Sequence, residues 1–149
     1  LGEYEENSVG TALDKIQVKV NSNNDILVKG DSLFLGYFNK KFISITLDAD
    51  GWFLTDDKGS ISSTGKLSIN GRSDNMFISG GENIFPEEIE SVILSYNSIL
   101  NAVVIPIEDN SYQNRLIAFV HLKEGPKQVK SLYSYLESKL PKFKIPKSI

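Results

Sequence analysis

The spacing of apolar residues changes once along this chain, near "INGRSDN" at 69–75, and that change limits the fold more than any other feature. Before it, short segments alternate polar and apolar residues, the period of a half-buried strand. "DKIQVKV" (14–20) does so, and the turn cluster "NSNND" separates it from "ILVKG" (26–30). "DADG" (48–51) precedes "WFLT", and "SSTG" (62–65) precedes "KLSIN", where Leu67 and Ile69 share a face. Short strands at this spacing, with no helical pattern among them, predict a small antiparallel sheet or barrel.

After the change, Pro86 suits the first position of a helix, where its missing N–H is no loss. Glu87, Glu88 and Glu90 in or near the first turn favour the helix dipole. Ile89, Val92, Ile93 and Tyr96 then fall at i, i+3, i+4 and i+7 on one face. "AVVIPI" (102–107) reads as a buried strand and "RLIAFVHL" (115–122) as another. "VKSLYSYLESKL" (129–140) predicts a second amphipathic helix with Leu132, Tyr135, Leu136 and Leu140 inward, closed by Pro141. Helix–strand–strand–helix is a small α+β unit. The chain therefore reads as α+β: an antiparallel β-subdomain over 1–71, then an α+β domain over 72–149.

Composition narrows the classes. Hydrophobic residues make up 40% and charged residues 23%, as in ordinary globular proteins. The longest apolar run, "LIAFVHL" (116–122), is far short of the roughly 20 residues a membrane helix requires. The opening "LGEYEENSVG" is acidic, unlike a signal peptide. Zero cysteines exclude disulfides and thiolate chemistry and fit a cytoplasmic protein. One histidine, His121, excludes a multi-histidine metal site and reads as a packed or edge residue of its strand. Trp52 and Phe53 read as core, and Tyr133 and Tyr135 as helix packing.

The net charge of −3 gives no reason to expect nucleic-acid binding. Its distribution is uneven: residues 1–120 hold 9 Lys/Arg against 17 Asp/Glu, a net −8, while residues 121–149 hold 7 against 2, a net +5. The basic tail is a solvated face or a docking surface for a phosphate-bearing ligand.

Three stretches could carry chemistry. In "GWFLTDDKG" (51–59), Asp56 and Asp57 read as adjacent carboxylates in a loop after a strand, either turn residues or acceptors for a diol or a cation. In "NGRSDN" (70–75), the five fixed donors of Arg72 suit phosphate or carboxylate, and Asp74 would point to the same side if the segment is extended. In "ISGGENIFPEEIE" (78–90), Gly80 and Gly81 form either a tight turn or a bare backbone surface along which a thin ligand can pass. The pair lacks the lysine and spacing of a phosphate-binding P-loop.

In order and spacing, G-W-F-x-T-x-D, G-R-x-D and S-G-G-E-N-I-x-P-x-E-I-E resemble the C-terminal part of the adenylate-forming acyl-CoA synthetases and ligases. "ILVKGDSLFLGYF" (26–38) resembles that family's strand segment ending in Gly-Tyr, and "LESKLPKFKIPKSI" (136–149) resembles the stretch leading to its C-terminal lysine motif. The likeness runs from about Val9 to Ile149. It implies an enzyme that joins a small carboxylic acid to ATP as an acyl-adenylate, with Mg2+, and then passes the acyl group to coenzyme A after its C-terminal domain swivels.

By the same resemblance, Asp57 would bind the ribose hydroxyls and Arg72 the nucleotide. Asp74 would be the hinge, and Gly80 and Gly81 would line the pantetheine tunnel. The adenylation lysine would lie beyond Ile149, leaving this chain without a catalytic residue or a metal ligand. The chain, opening at Leu1 and ending in "KIPKSI", reads as a piece of a longer protein, with its own N-terminal domain as partner and its oligomeric state open. "SGGENIFP" looks more like the coenzyme A ligases than the amino-acid-activating domains, with 2-succinylbenzoate or a related small acid favoured. The alternatives are a ligase loading a carrier-protein thiol and a noncatalytic binding module derived from the family's lid.

Several positions depart from the family pattern. Asp56 replaces the usual glycine of T-G-D, and if that position requires positive φ, Asp supports it better than most residues. Ile78 stands where many members have lysine. Asn24-Asp25-Ile26-Leu27 replaces G-E-L, and "EDNSYQNRL" (108–116) lacks the family's Gly-Glu.

Overall fold

The computed structural model describes residues 8–39, 41–123 and 129–149. Most of the acidic opening stretch, and Lys127 of the basic tail, lie outside them. The chain divides into two compact units, Leu1–Ser73 and Asp74–Ile149.

Among the described residues the first unit is all β. Strands β1 (Ile16–Val20), β2 (Asp25–Gly30), β5 (Phe53–Ile61) and β6 (Leu67–Arg72) form an antiparallel sheet in the order β1-β2-β5-β6. Strands β3 (Tyr37–Asn39) and β4 (Phe42–Ser44) form a separate hairpin. The turn clusters act through their side chains. Asn21 Oδ1 accepts the amides of Asn23 and Asp25, each at 2.9 Å. Asp48 Oδ1 accepts those of Asp50 at 3.0 Å and Trp52 at 2.8 Å. Asx turns of this kind satisfy the backbone where the ladder stops. Trp52 and Phe53, expected in the core, are only partly buried. Lys19 Nζ lies 4.1 Å from the Trp52 ring centre, and Phe34 meets Phe53 edge to face at 5.1 Å.

The second unit opens with a hairpin, β7 (Phe77–Ser79) and β8 (Glu82–Ile84). Helix α1 (Pro86–Leu94) follows with proline at its start, then the long antiparallel pair β9 (Ile99–Asp109) and β10 (Gln113–Leu122), then helix α2 (Val129–Lys139). A 3-10 turn (Lys142–Lys144) comes after Pro141. The helical faces lie as their periodicity predicts. Ile89, Ile93, Leu132 and Leu136 are fully buried against Ile84, Ala102, Val104, Leu116 and Ala118, with Val92, Tyr96 and Tyr135 packed at the edge. Two polar ties fix α1: Glu90 Oε1 accepts the Val104 amide at 2.7 Å, and Lys144 Nζ meets both oxygens of Glu88 at 2.6 Å.

The expectation that 102–107 is buried throughout is corrected. Ala102 and Val104 are buried, but Val103 is 49% and Ile105 38% exposed, because both helices cover the same face of β9 and β10. His121 is exposed, opposite Asn101.

Candidate functional site

Asp56 and Asp57 do not form a loop; they lie inside β5. The pairing shifts from Leu27↔Leu54 to Asp25↔Lys58, so β5 carries extra residues opposite Ile26 and bulges there. Asp56 takes φ 64° at the bulge, the left-handed conformation that the missing glycine would have supplied. Thr55 pins the distortion: its hydroxyl donates to Ile26 O at 3.0 Å and accepts the Asp57 amide at 3.1 Å.

Asp57 is thereby paired in register with Arg72 on β6. Arg72 Nη1 stands 3.5 Å from Asp57 Oδ1 and 3.5 Å from Thr55 O, with both side chains partly exposed. The geometry is loose; a carboxylate can accept hydroxyl donors, and a guanidinium is chemically suited to an anion. Extended backbone ends at Arg72, and Asp74 lies in the turn at 73–75, so the extended spacing assumed for that pair does not hold.

Gly80 and Gly81 are the two residues between β7 and β8, with φ 59° and 88°. A two-residue hairpin with positive φ at both central positions is a type I′ turn, whose twist matches the strands it joins. The backbone alone therefore requires what the sequence places there. The two positions differ in surroundings. A Cβ at Gly80 would lie 3.0 Å from Tyr112 Cδ1, whereas one at Gly81 would meet nothing within 4 Å.

The hairpin is tied to the start of β10 and the loop before it. Gly80 N donates to Tyr112 O at 2.9 Å, Asn114 Nδ2 to Ile78 O at 2.9 Å, and Ser79 Oγ to Asn114 O at 2.7 Å. Beside the turn opens a cavity of about 340 Å³, lined among others by Gly80, Tyr112, Arg115, Lys142, Phe143 and Lys147. Three cations and two aromatic rings face it, and among the described residues no carboxylate does. Lys142 and Lys147 make no ion pair among the described residues. Arg115 Nε donates to Asp109 Oδ2 at 3.1 Å, and its guanidinium carbon lies 3.6 Å from the Tyr112 ring centre. Amides of Ser111 and then Tyr112, with Arg115 beside them, hold the Asp109 carboxyl below its ordinary value.

Reading the sequence for function missed Tyr112 and Arg115, whose loop stood out only for lacking Gly-Glu. The basic tail, read as a solvated face or a docking surface for a phosphate-bearing ligand, supplies Lys142 and Lys147 to the cavity lining. Among the described residues no group of His, Asp and Glu is placed to hold a metal ion.

In fold, the two units match the C-terminal region of acyl-adenylate-forming enzymes. Residues 88–149 match the AMP-binding enzyme C-terminal domain, and the chain belongs to the adenylate-forming acyl-CoA synthetase and ligase family. It is 42% identical over 126 residues to the 2-succinylbenzoate–CoA ligase of Haemophilus influenzae, covering 83% of this chain and 28% of that one. It is 37% identical to the 2-methylpropanoate–CoA ligase CCL4 of Humulus lupulus, covering 84% and 23%. The fold matches the Bacillus subtilis o-succinylbenzoate CoA synthetase in complex with its acyl-adenylate intermediate, with a TM-score of 0.82, 30% identity, and coverage of 96% of this chain and 32% of that one. The chain thus spans less than a third of these relatives.

Proposed function

We propose that the chain is the C-terminal portion of an ATP-dependent acid–CoA ligase acting on 2-succinylbenzoate or a related small carboxylic acid. In this reading Asp57 accepts two hydroxyls of the ATP ribose, and Arg72 stands by as the cation nearest the nucleotide. The turn at Asp74 is where the two units change orientation between half-reactions. Gly80 and Gly81 line the path of the pantetheine arm, and the cavity beside them takes the phosphates at the far end of coenzyme A. Mg2+ accompanies ATP and is assigned no residue of this chain.

The first unit's partner is the domain that precedes it in the longer protein. Leu35, Tyr37 and Phe38 are 83%, 66% and 75% exposed, and a groove of about 400 Å³ nearby is lined by Leu33, Phe34, Ile45 and Leu47. Apolar surface of this extent suits burial against another part of the polypeptide.

The observation that carries the reading is that, within one unit, a bare glycine turn adjoins a cavity faced by three cations. That adjacency also favours free coenzyme A over a carrier-protein thiol, because free coenzyme A brings several phosphates for Arg115, Lys142 and Lys147. The test is Gly81→Asn in the full-length enzyme. Asn tolerates positive φ, and its side chain has open space, so the turn keeps its shape while the path narrows. Thioester formation should fall at least tenfold further than ATP–pyrophosphate exchange driven by the acid. Equal loss of both half-reactions, or failure of the wild-type enzyme to use coenzyme A, would overturn the reading.

A further inference from the structure

The carboxylate of Asp109 does two things at once. Oδ1 accepts the amides of Ser111 at 2.9 Å and Tyr112 at 3.1 Å, folding the loop between β9 and β10 into an Asx turn. Oδ2 accepts Arg115 Nε at 3.1 Å. An arginine carries five donors in one plane, so a bond at Nε fixes the plane and leaves the terminal N–H groups for another acceptor. That plane lies against Tyr112, with 3.6 Å between the guanidinium carbon and the ring centre. The Tyr112 backbone in turn supplies the carbonyl that holds the Gly80 amide at 2.9 Å. One carboxylate therefore sets a cationic wall of the cavity, an aromatic wall and the anchor of the glycine turn.

We propose that Asp109 is the positioning residue of the coenzyme A site: by fixing Arg115 against Tyr112 it holds the guanidinium ready for the cofactor's phosphates. This rests on the ligase reading above. Asp109 touches no reacting atom, so its effect falls on cofactor binding and not on acyl transfer. Among the described residues Lys142 and Lys147 have no such tether, so Arg115 is the lining cation whose direction is built in.

The experiment compares wild-type, Asp109→Asn and Arg115→Met full-length enzymes with two acceptors, coenzyme A and pantetheine, which has the same thiol arm without the nucleotide phosphates. Asn at 109 can still accept the loop amides but no longer carries the charge that orients Arg115. Asp109→Asn should raise KM for coenzyme A about tenfold, keep kcat within about twofold, and leave KM for pantetheine unchanged. Arg115→Met should reproduce the pattern, which keeps the test decisive if the Asn variant folds poorly. An unchanged KM for coenzyme A in either folded variant overturns the proposal. So does an equal rise with both acceptors, which would mark Asp109 as a loop-folding residue only. Wild-type enzyme that forms no thioester with either acceptor would sink the ligase reading itself, a different outcome.

Discussion

Asp56 holds φ at 64° in the middle of a strand, a conformation that L-residues other than Asn and Asp seldom take. The bulge depends on it, because Ser73 N reaches back to Asp56 O at 2.8 Å and Thr55 closes the other side. Asp56→Gly relieves the backbone but loosens the unfolded chain, and the two effects nearly cancel, leaving stability within about 0.5 kcal/mol. Asp56→Val places a branched side chain at the same φ and should destabilise by about 1–2 kcal/mol, read from urea denaturation. Equal midpoints for the two variants would show that the bulge does not need the left-handed residue. This position was legible in the sequence because the physical requirement was simple: where glycine is replaced, the replacement must tolerate positive φ. Tyr112, Arg115 and Asp109 were not legible as a group. Their association depends on a loop folded by its own carboxylate and on a hairpin some thirty residues earlier, and neither leaves a periodic trace.

Among the elements, those with strong period were read correctly in kind, including the strands at 14–20 and 26–30 and both helices. The hairpin of β3 and β4 went unread because strands of three residues are too short to show alternation. The extent of β5 was missed because a bulge breaks the period-two pattern at "TDD" while the chain stays extended. The same bulge is braced by a pair that no local pattern announces: Lys58 Nζ meets Asp25 Oδ1 at 2.6 Å, and Asn21 Nδ2 donates to Asp25 Oδ2 at 2.9 Å. The Lys58 bond first, and then that of Asn21, hold the Asp25 carboxyl below its ordinary value of 3.8. A carboxylate depressed in the folded state stabilises above its unfolded pKa, and that contribution disappears as pH falls through the folded one. Stability should therefore decline as pH drops below about 4, and Asp25→Asn should flatten that slope. At neutral pH the substitution should cost about 1–2 kcal/mol, because Lys58 loses the charge of its partner and keeps only neutral acceptors such as the Asn23 carbonyl. Urea titrations of both proteins between pH 7 and pH 2.5 check this. Parallel curves would mean that the brace carries no stability.

Over the whole molecule the two units are unequal in what they bury. Among the described residues, Ile26 and Leu27 are the buried hydrophobic side chains of the first unit, whereas the second buries Ile84, Ile89, Ile93, Ile99, Leu116, Leu132, Leu136 and others in one cluster. Burial of apolar area contributes about 25 cal/mol per Å², so the second unit carries most of the driving force for folding. The first is a sheet with well-made turns and a thin core, and its exposed Leu35, Tyr37 and Phe38 contribute nothing until something covers them. Local opening follows such differences: segments with few buried apolar contacts exchange their amides through small fluctuations, while core strands wait for global unfolding. In the isolated 149-residue chain, amides of β9 and β10 should be protected at least tenfold more strongly than those of β1, β2, β5 and β6, as measured by hydrogen–deuterium exchange. In the full-length enzyme the gap should narrow, with the rise in protection falling on the first unit, because the preceding domain would then cover its apolar residues. Equal protection of both units in the isolated chain would mean that the first is stabilised by something other than apolar burial. An unchanged gap in the full-length enzyme would mean that the exposed residues do not meet that domain.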